Sequence, residues 1–212
     1  MMKEGSTEFA SKTTEELFIN MQGGLVFQSY PRETTLYFHD ELNNPLCYWF
    51  HSGCVSMMRL KDQVRAFPVV NKMHFGLVSG PLIREHYALV TDTEAVVSCQ
   101  PLEQVKKLIA EKDLWESLLN IQIEKNDEYM YYYNNISIRD SYQEVCFILT
   151  LMMTLPEHVR KQVNISRFII QRTLMSRSNV MNILSQLKVK FYIIVEHGYL
   201  CSITHLPKKR FW

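Results

Sequence analysis

Apolar and polar positions along the chain change their period twice. From Gly24 to about Ser98, short runs rich in Val, Phe, Tyr and Thr alternate with turn residues. The runs are Leu25–Tyr30, Thr35–Phe38, Leu46–His51, Cys54–Leu60, Ala66–Val70, Tyr87–Thr91 and Ala95–Cys99. Breaks fall at Pro31-Arg32, Asn43-Asn44-Pro45, Ser52-Gly53, Lys61-Asp62-Gln63 and Ser79-Gly80-Pro81. Short strands at such close, regular spacing predict an antiparallel sandwich or barrel. Pro68 belongs at an edge or strand end, because it has no N–H to give to a ladder. Ahead of the strands, Thr13–Met21 reads as a short amphipathic helix with Leu17, Phe18 and Met21 on one side.

Helical spacing begins at Pro101, which suits a first turn, with Leu102, Val105, Leu108 and Ile109 recurring at steps of three and four. A second helix is predicted from Asp113, as its cap, to about Tyr133, with Leu114, Leu118 and Ile121 as its stripe. Its far end, Tyr129 to Tyr133, is aromatic on all sides, which implies a covering surface. That surface is either the chain's own β-domain or a second copy. The seam predicted for a dimer is Leu114, Leu118, Ile121, Tyr129 and Tyr132. After Asn134-Asn135, a strongly helical stretch runs from Asp140 to Met153 and stops at Pro156.

The last third carries the most specific pattern. Ile165–Thr173 reads as a helix capped by Asn164, with Ile165, Phe168 and Ile169 inward. Leu174-Met175 forms a tight connection, and Ser176 caps a second helix, Arg177–Lys188, whose buried stripe is Val180, Ile183, Leu184 and Leu187. Phe191–Val195, a turn at Glu196-His197-Gly198, and Tyr199–Ile203 then form a hairpin. Two short helices with a tight turn followed by a hairpin make a winged helix-turn-helix. Arg177, Ser178, Asn179, Asn182 and Gln186 lie on the exposed face, where arginine can grip guanine and asparagine adenine in a major groove. Ser176, Arg167, Arg172, Lys188 and Lys190 are placed to meet phosphates.

Charge strengthens this picture. The chain of 212 residues has a formal net charge of +1. Glu157–Trp212 nevertheless holds ten Lys/Arg and two acids (10 − 2 = +8), and Met1–Pro156 holds 13 Lys/Arg and 20 acids (13 − 20 = −7). A basic segment joined to an acidic one suggests a polyanion-binding module on a separate body. The five cysteines, Cys47, Cys54, Cys99, Cys146 and Cys201, are scattered without a CxxC pair, which argues against a disulfide framework or a structural metal and for a reduced, cytoplasmic protein. The start is polar and acidic, unlike a secretory signal, and the longest apolar run, Val145–Leu155, is too short to span a bilayer. Gly-rich phosphate loops, HExxH and GxSxG are all missing from the sequence, so an enzyme is not expected.

Ile165-Ser166-Arg167, Ser176-Arg177-Ser178-Asn179-Val180 and Ile183-Leu184-Ser185-Gln186-Leu187 resemble the DNA-binding signature of the cyclic-AMP receptor / fumarate-nitrate regulator (Crp/Fnr) superfamily. Gln171-Arg172-Thr173 and Ile203-Thr204-His205-Leu206-Pro207 resemble a divergent branch of it, the regulators called inhibitors of hydrogen peroxide resistance. The resemblance implies an N-terminal cyclic-nucleotide-binding-like β-roll, a long connecting helix and a C-terminal winged helix. It also implies that Arg177, Ser178, Asn179 and Asn182 fall at base-reading positions. Ser178 stands where the superfamily usually has an acid, so its preferred DNA site does not transfer. Cyclic-nucleotide binders of the superfamily use a glutamate for the ribose and an arginine for the phosphate. Here the glutamate position holds Leu77, and Glu85 follows Arg84, so no cyclic nucleotide is expected to bind. Haem ligation by His51, His74 or His86 and redox sensing by Cys47, Cys54 or Cys99 are weighed against ordinary loop histidines and inert buried thiols, and the latter are preferred.

The fold expected is α+β, an antiparallel jelly-roll-type β-roll plus a connecting helix and a winged helix-turn-helix. Its expected divisions are 1–110 for the sensor-like roll, 111–136 for the connecting and dimerisation helix, and 137–212 for DNA binding. The function expected is a homodimeric regulator that binds double-stranded DNA without a cofactor or metal, with any small-molecule effector undefined. The alternative is a Crp-like protein that regulates by holding a partner protein.

Overall fold

In the computed structural model, the described residues are 25–70, 73–77, 80–123, 126 and 140–206. The predicted helix at Thr13–Met21 and the tyrosines from Tyr129 to Tyr133 lie outside them. The chain divides into two compact units, Met1–Lys61 with Pro68–Tyr132, and Asp62–Phe67 with Tyr133–Trp212.

The first unit is an α+β roll. Its strands are β1 (Phe27–Tyr30), β2 (Thr35–Tyr37), β3 (Leu46–Ser52), β4 (Cys54–Arg59), β5 (Arg65–Val70, of which Arg65 to Phe67 belong to the second unit), β6 (Met73–Phe75), β7 (Tyr87–Thr91) and β8 (Ala95–Pro101). They form two four-stranded sheets, ordered β1-β8-β3-β6 and β2-β7-β4-β5. The pairings detailed for them, such as β3 with β8, β3 with β6 and β4 with β7, are antiparallel. Pro68 sits on β5, at the edge of the second sheet, as expected for a residue with no N–H to donate. The three-residue β6 and the short helix α1 (Pro81–His86) were not predicted.

Strand β3 explains the layering, because both of its faces are apolar. Tyr48 and Phe50 join Leu36, Phe38, Val55, Phe75, Leu89, Ala95 and Val97 in the cluster between the two sheets. Cys47 and Trp49, on the opposite face, join Leu77 and residues of two helices, α2 (Leu102–Glu111) and α3 (115–123). The buried helix residues are Leu102, Val105 and Ile109 from α2 and Leu118 and Ile121 from α3. A strand buried on both sides reads as a near-continuous apolar run rather than an alternation.

The turn between α2 and α3 corrects one expectation. Asp113 does not cap α3. It adopts φ +53°, Leu114 N–H bonds to the Ile109 carbonyl at 3.0 Å, and Asp113 N–H bonds to that of Ala110 at 3.3 Å. That paired pattern is a Schellman ending, so Asp113 terminates α2, and Leu114 packs back onto the cluster that holds Ile109.

The second unit contains α4 (Ser141–Met153), α5 (Glu157–Arg160), α6 (Ile165–Ile170), α7 (Arg177–Val189) and the hairpin β9 (Ile193–Glu196) and β10 (Tyr199–Ile203). Asp140 caps α4 by accepting from Gln143 N–H at 2.9 Å. Val145 to Leu149 are all buried, so the helix is buried more widely than the predicted stripe. Phe191 was expected to open β9. Instead it takes φ +54°, with Tyr192 N–H bonded to the Leu187 carbonyl at 2.9 Å, and ends α7 in the same Schellman manner. His197 (φ +50°) and Gly198 (φ +85°) form the two-residue turn between β9 and β10, whose left-handed geometry matches the strand twist.

Gly53 joins β3 to β4 with φ +98°, and a Cβ there would lie 2.4 Å from the Glu94 carbonyl oxygen. Gly53→Ala is expected to cost more than about 1 kcal/mol of stability. Urea unfolding followed by circular dichroism checks this, and an unchanged midpoint would contradict the close approach.

Candidate nucleic-acid interface

Local chemistry sets the helix-turn-helix. Asn164 begins α6, its side-chain oxygen accepting from Arg167 N–H at 3.2 Å and from the Ser166 hydroxyl at 2.7 Å. Ser176 begins α7, its hydroxyl accepting from Asn179 N–H at 3.3 Å and lying 3.0 Å from that of Ser178. Such caps replace N–H partners that the first turn lacks, each worth about 1 kcal/mol. Val180, Ile183, Leu184 and Leu187 are buried, which turns the opposite side of α7 to solvent. The hairpin turn is tied to α6. Ile165 N–H donates to the Gly198 carbonyl at 2.9 Å, and a Cβ on Gly198 would lie 2.6 Å from the Asn164 amide nitrogen.

The predicted site residues divide on this frame. Arg177, Ser178, Asn182 and Gln186 are exposed on α7, and Asn179 is half-buried beside them. Ser176, Arg167, Lys188 and Lys190 are also exposed. Met181 and Ser185, exposed between these residues, were not singled out from the sequence. Turning the Gln171 amide so that its oxygen faces the cations lets it accept from Arg167 Nε at 3.2 Å and Arg65 Nη2 at 3.0 Å. This amide steadies Arg167 while leaving it at the surface.

Arg172 corrects the prediction. It is 2% exposed, its guanidinium carbon sits 3.5 Å above the Phe168 ring centre, and its Nη1 donates to the Phe168 carbonyl at 3.2 Å. The cation is spent inside the unit, stacked on an aromatic face, and does not reach a phosphate.

Three residues of the predicted dimer seam also turn inward. Leu118 and Ile121 are buried in their own unit's core, with Leu114 packed against it, so they cannot face a second copy. The exposed apolar stripe of α3 is instead Trp115 (47% exposed), Leu119 (60%) and Ile123 (56%), spaced four residues apart. Tyr129 and Tyr132 lie outside the described residues.

In the roll, Leu77 is buried in the cluster against the helices. Arg84, on α1, donates through Nη2 to the Gly76 carbonyl at 3.4 Å. Aromatic side chains pack between the sheets, with edge-on pairs Phe38–Tyr48 and Phe50–Phe75 at 6.1 Å and 5.6 Å between ring centres. His51 stacks near Phe27 and His74 near Trp49. Among the described residues no group of three or more His, Cys, Asp or Glu is placed to hold a metal. Burial pushes the Cys47 thiol up to about 12 and raises that of Cys99, although Cys99 is exposed as a residue. Neither thiol is activated by its surroundings.

Residues 141–208 match the family described as winged helix-turn-helix DNA binding. Over most of its length the chain has the fold of Crp/Fnr regulators. It superposes on CLP, the c-di-GMP-responsive global regulator of Xanthomonas campestris, with a TM-score of 0.64 at 15% identity, covering 92% of this chain and all of that one. A regulator from Eubacterium rectale assigned to the Crp/Fnr family gives 0.63 at 12% identity, covering 87% and 88%. The protein is thus a chain of Crp/Fnr fold with a winged helix-turn-helix DNA-binding domain at residues 141–208. More particularly, it is similar to the inhibitor of hydrogen peroxide resistance of Salmonella typhimurium, 27% identical over 158 residues, or 74% of this chain and 76% of the relative. The protein of that name from Escherichia coli is 24% identical over 189 residues, covering 85% and 87%. Among the described residues, no helix is long and apolar enough to cross a membrane.

These placements separate two kinds of cation. With duplex DNA, Lys188→Ala is expected to reduce the slope of log K against log salt by about 1 for the phosphate contact removed. Arg172→Ala is expected to leave that slope unchanged and to lower the denaturant midpoint. A slope change in Arg172→Ala equal to that in Lys188→Ala would contradict its burial.

Proposed function

We propose that the protein is a homodimeric transcription regulator that reads a palindromic duplex site with α7, and that its β-roll takes no cyclic nucleotide. The observation that carries the reading is the two-sidedness of α7. Its apolar stripe is buried, and Arg177, Ser178, Asn182 and Gln186 are left exposed along the other side, with Arg177 and Ser178 in the first turn, where a recognition helix meets base edges. The +8 balance from Glu157 onward supports it, because phosphate contacts supply most of the affinity and make it salt-dependent. Lys188, Lys190 and Arg167 fit those contacts. Arg177 fits a guanine edge, and Asn182 fits an adenine edge.

For the dimer, the stripe Trp115, Leu119 and Ile123 on α3 is an apolar seam of the kind a second α3 would cover. It lies within the segment 111–136 assigned to connection and dimerisation, between a roll at 1–110 and a DNA-binding part at 137–212. A two-fold pair would set its recognition helices about 34 Å apart, one turn of DNA. The roll's aromatic filling, with Leu77 at the position of a ribose-binding glutamate, supports a degenerate effector site. The name of the relatives supports a role connected with hydrogen peroxide stress, and the scattered cysteines without a CxxC pair support a cytoplasmic location.

A mobility-shift assay on genomic fragments tests DNA binding, followed by Arg177→Ala on the retained site. The variant is expected to lose about 1–3 kcal/mol there and to discriminate less at one base pair of each half-site. If it binds specific and random duplexes as the parent does, α7 is not the reading helix. Leu119→Glu is expected to shift the sedimentation coefficient from dimer to monomer and to weaken palindrome binding while a single half-site is bound as before. A dimer unaffected by Leu119→Glu would place the seam elsewhere.

A further inference from the structure

We propose that Met181 is a specificity-determining residue that reads the C5-methyl group of a thymine. The inference rests on the DNA-binding reading of α7 and adds an apolar element to a face so far described as polar.

The rotation of α7 is fixed by its buried residues. Successive residues of an α-helix are turned by about 100°, and side chains three or four apart are neighbours. With Val180, Ile183, Leu184 and Leu187 inward, two rows of side chains run along the outer side. One is Ser178, Asn182 and Gln186. The other is Arg177, Met181 and Ser185. Met181 therefore lies between Arg177 and Ser185, beside Ser178, within the surface that would enter a groove.

Its exposure is unusual for its type. Among residues 177–187, the other apolar side chains are buried, and Met181 is 45% exposed. The next exposed apolar residue on the helix, Val189, lies at its last position. A major groove offers hydrogen-bond donors and acceptors at every pair, and one apolar group, the thymine methyl. Arg177, Ser178, Asn182 and Gln186 suit the polar edges, whereas a thioether cannot donate a hydrogen bond and accepts one weakly. What Met181 can offer is an adaptable apolar contact on an unbranched, flexible chain. The thymine methyl is the base group that matches it. Enclosing one methyl amounts to about a fourfold change in affinity.

The test uses the full chain. Duplexes bound by the protein are selected from random-sequence DNA. Each thymine of the selected site is then replaced in turn by deoxyuridine, which lacks only the methyl. Dissociation constants are measured for the parent and for Met181→Ala, whose folding is checked by thermal melting. At one thymine of each half-site the parent is expected to weaken about fourfold, and about fifteenfold when both half-sites carry deoxyuridine. Met181→Ala is expected to bind the two sites equally. The proposal is overturned if the parent tolerates deoxyuridine at every thymine, if Met181→Ala keeps the parent's sensitivity, or if the selected site has no thymine. Selection of a specific site with any of these results leaves the DNA-binding reading standing, whereas failure to retain any duplex removes both.

Discussion

The burial of Val180, Ile183, Leu184 and Leu187 in α7 is the constraint on which the DNA-binding reading depends. Each such side chain, once removed from water, contributes on the order of 1.5–3 kcal/mol, roughly twice the net worth of a typical hydrogen bond. The apolar stripe therefore dictates the rotation of α7, and the polar residues take whatever direction remains. Ser176 sets where the helix starts, and Phe191, held with positive φ by the closing hydrogen bonds, sets where it stops. Gly198 brings the hairpin turn against the start of α6 without a Cβ in the way. The result is a short rigid frame whose outer edge carries functional groups and contributes little to holding the frame together.

A comparable constraint operates in the β-roll. Strand β3 is covered on one face by the opposite sheet and on the other by α2 and α3. Large side chains on both faces leave little freedom. Tyr48 and Phe50 fill the interior with Phe38 and Phe75, and Trp49 and Cys47 meet the helices. Interiors pack at the density of organic crystals, so aromatic rings that fill the space between sheets leave less of it for a ligand. The same packing draws Leu118 and Ile121 inward and leaves Trp115, Leu119 and Ile123 at the surface. One stripe holds the unit together, and the adjacent one is available for association.

Period and punctuation made most of the architecture legible. The strands from β1 to β5 and β7 to β8 follow runs of β-branched and aromatic residues between Gly, Pro and Asn breaks, and the helix-turn-helix follows its caps and its apolar steps. Strand β6 was missed because three residues carry too little pattern to register. Asp113 is ambiguous in sequence: an aspartate before an apolar run signals a helix start, and it also tolerates the left-handed conformation that ends one, which it adopts here. Met181 carries no sequence signal of exposure, because a methionine in an amphipathic helix is normally assigned to the core.

The sequence by itself determined most of the strands and helices, where α7 begins, and that its surroundings are cationic. Those features depend on local periodicity, capping and charge, which need no knowledge of neighbours. Tertiary structure alone decided how nearby residues of the same type are used. Arg167 remains at the surface and Arg172 is stacked on Phe168, although both are arginines of the same helix-turn-helix segment. Leu118 is enclosed and Leu119 is exposed, although they are adjacent leucines. The reason is geometric: a helix turns about 100° per residue, so which side is inward depends on the element that packs against it, and that element is distant in sequence.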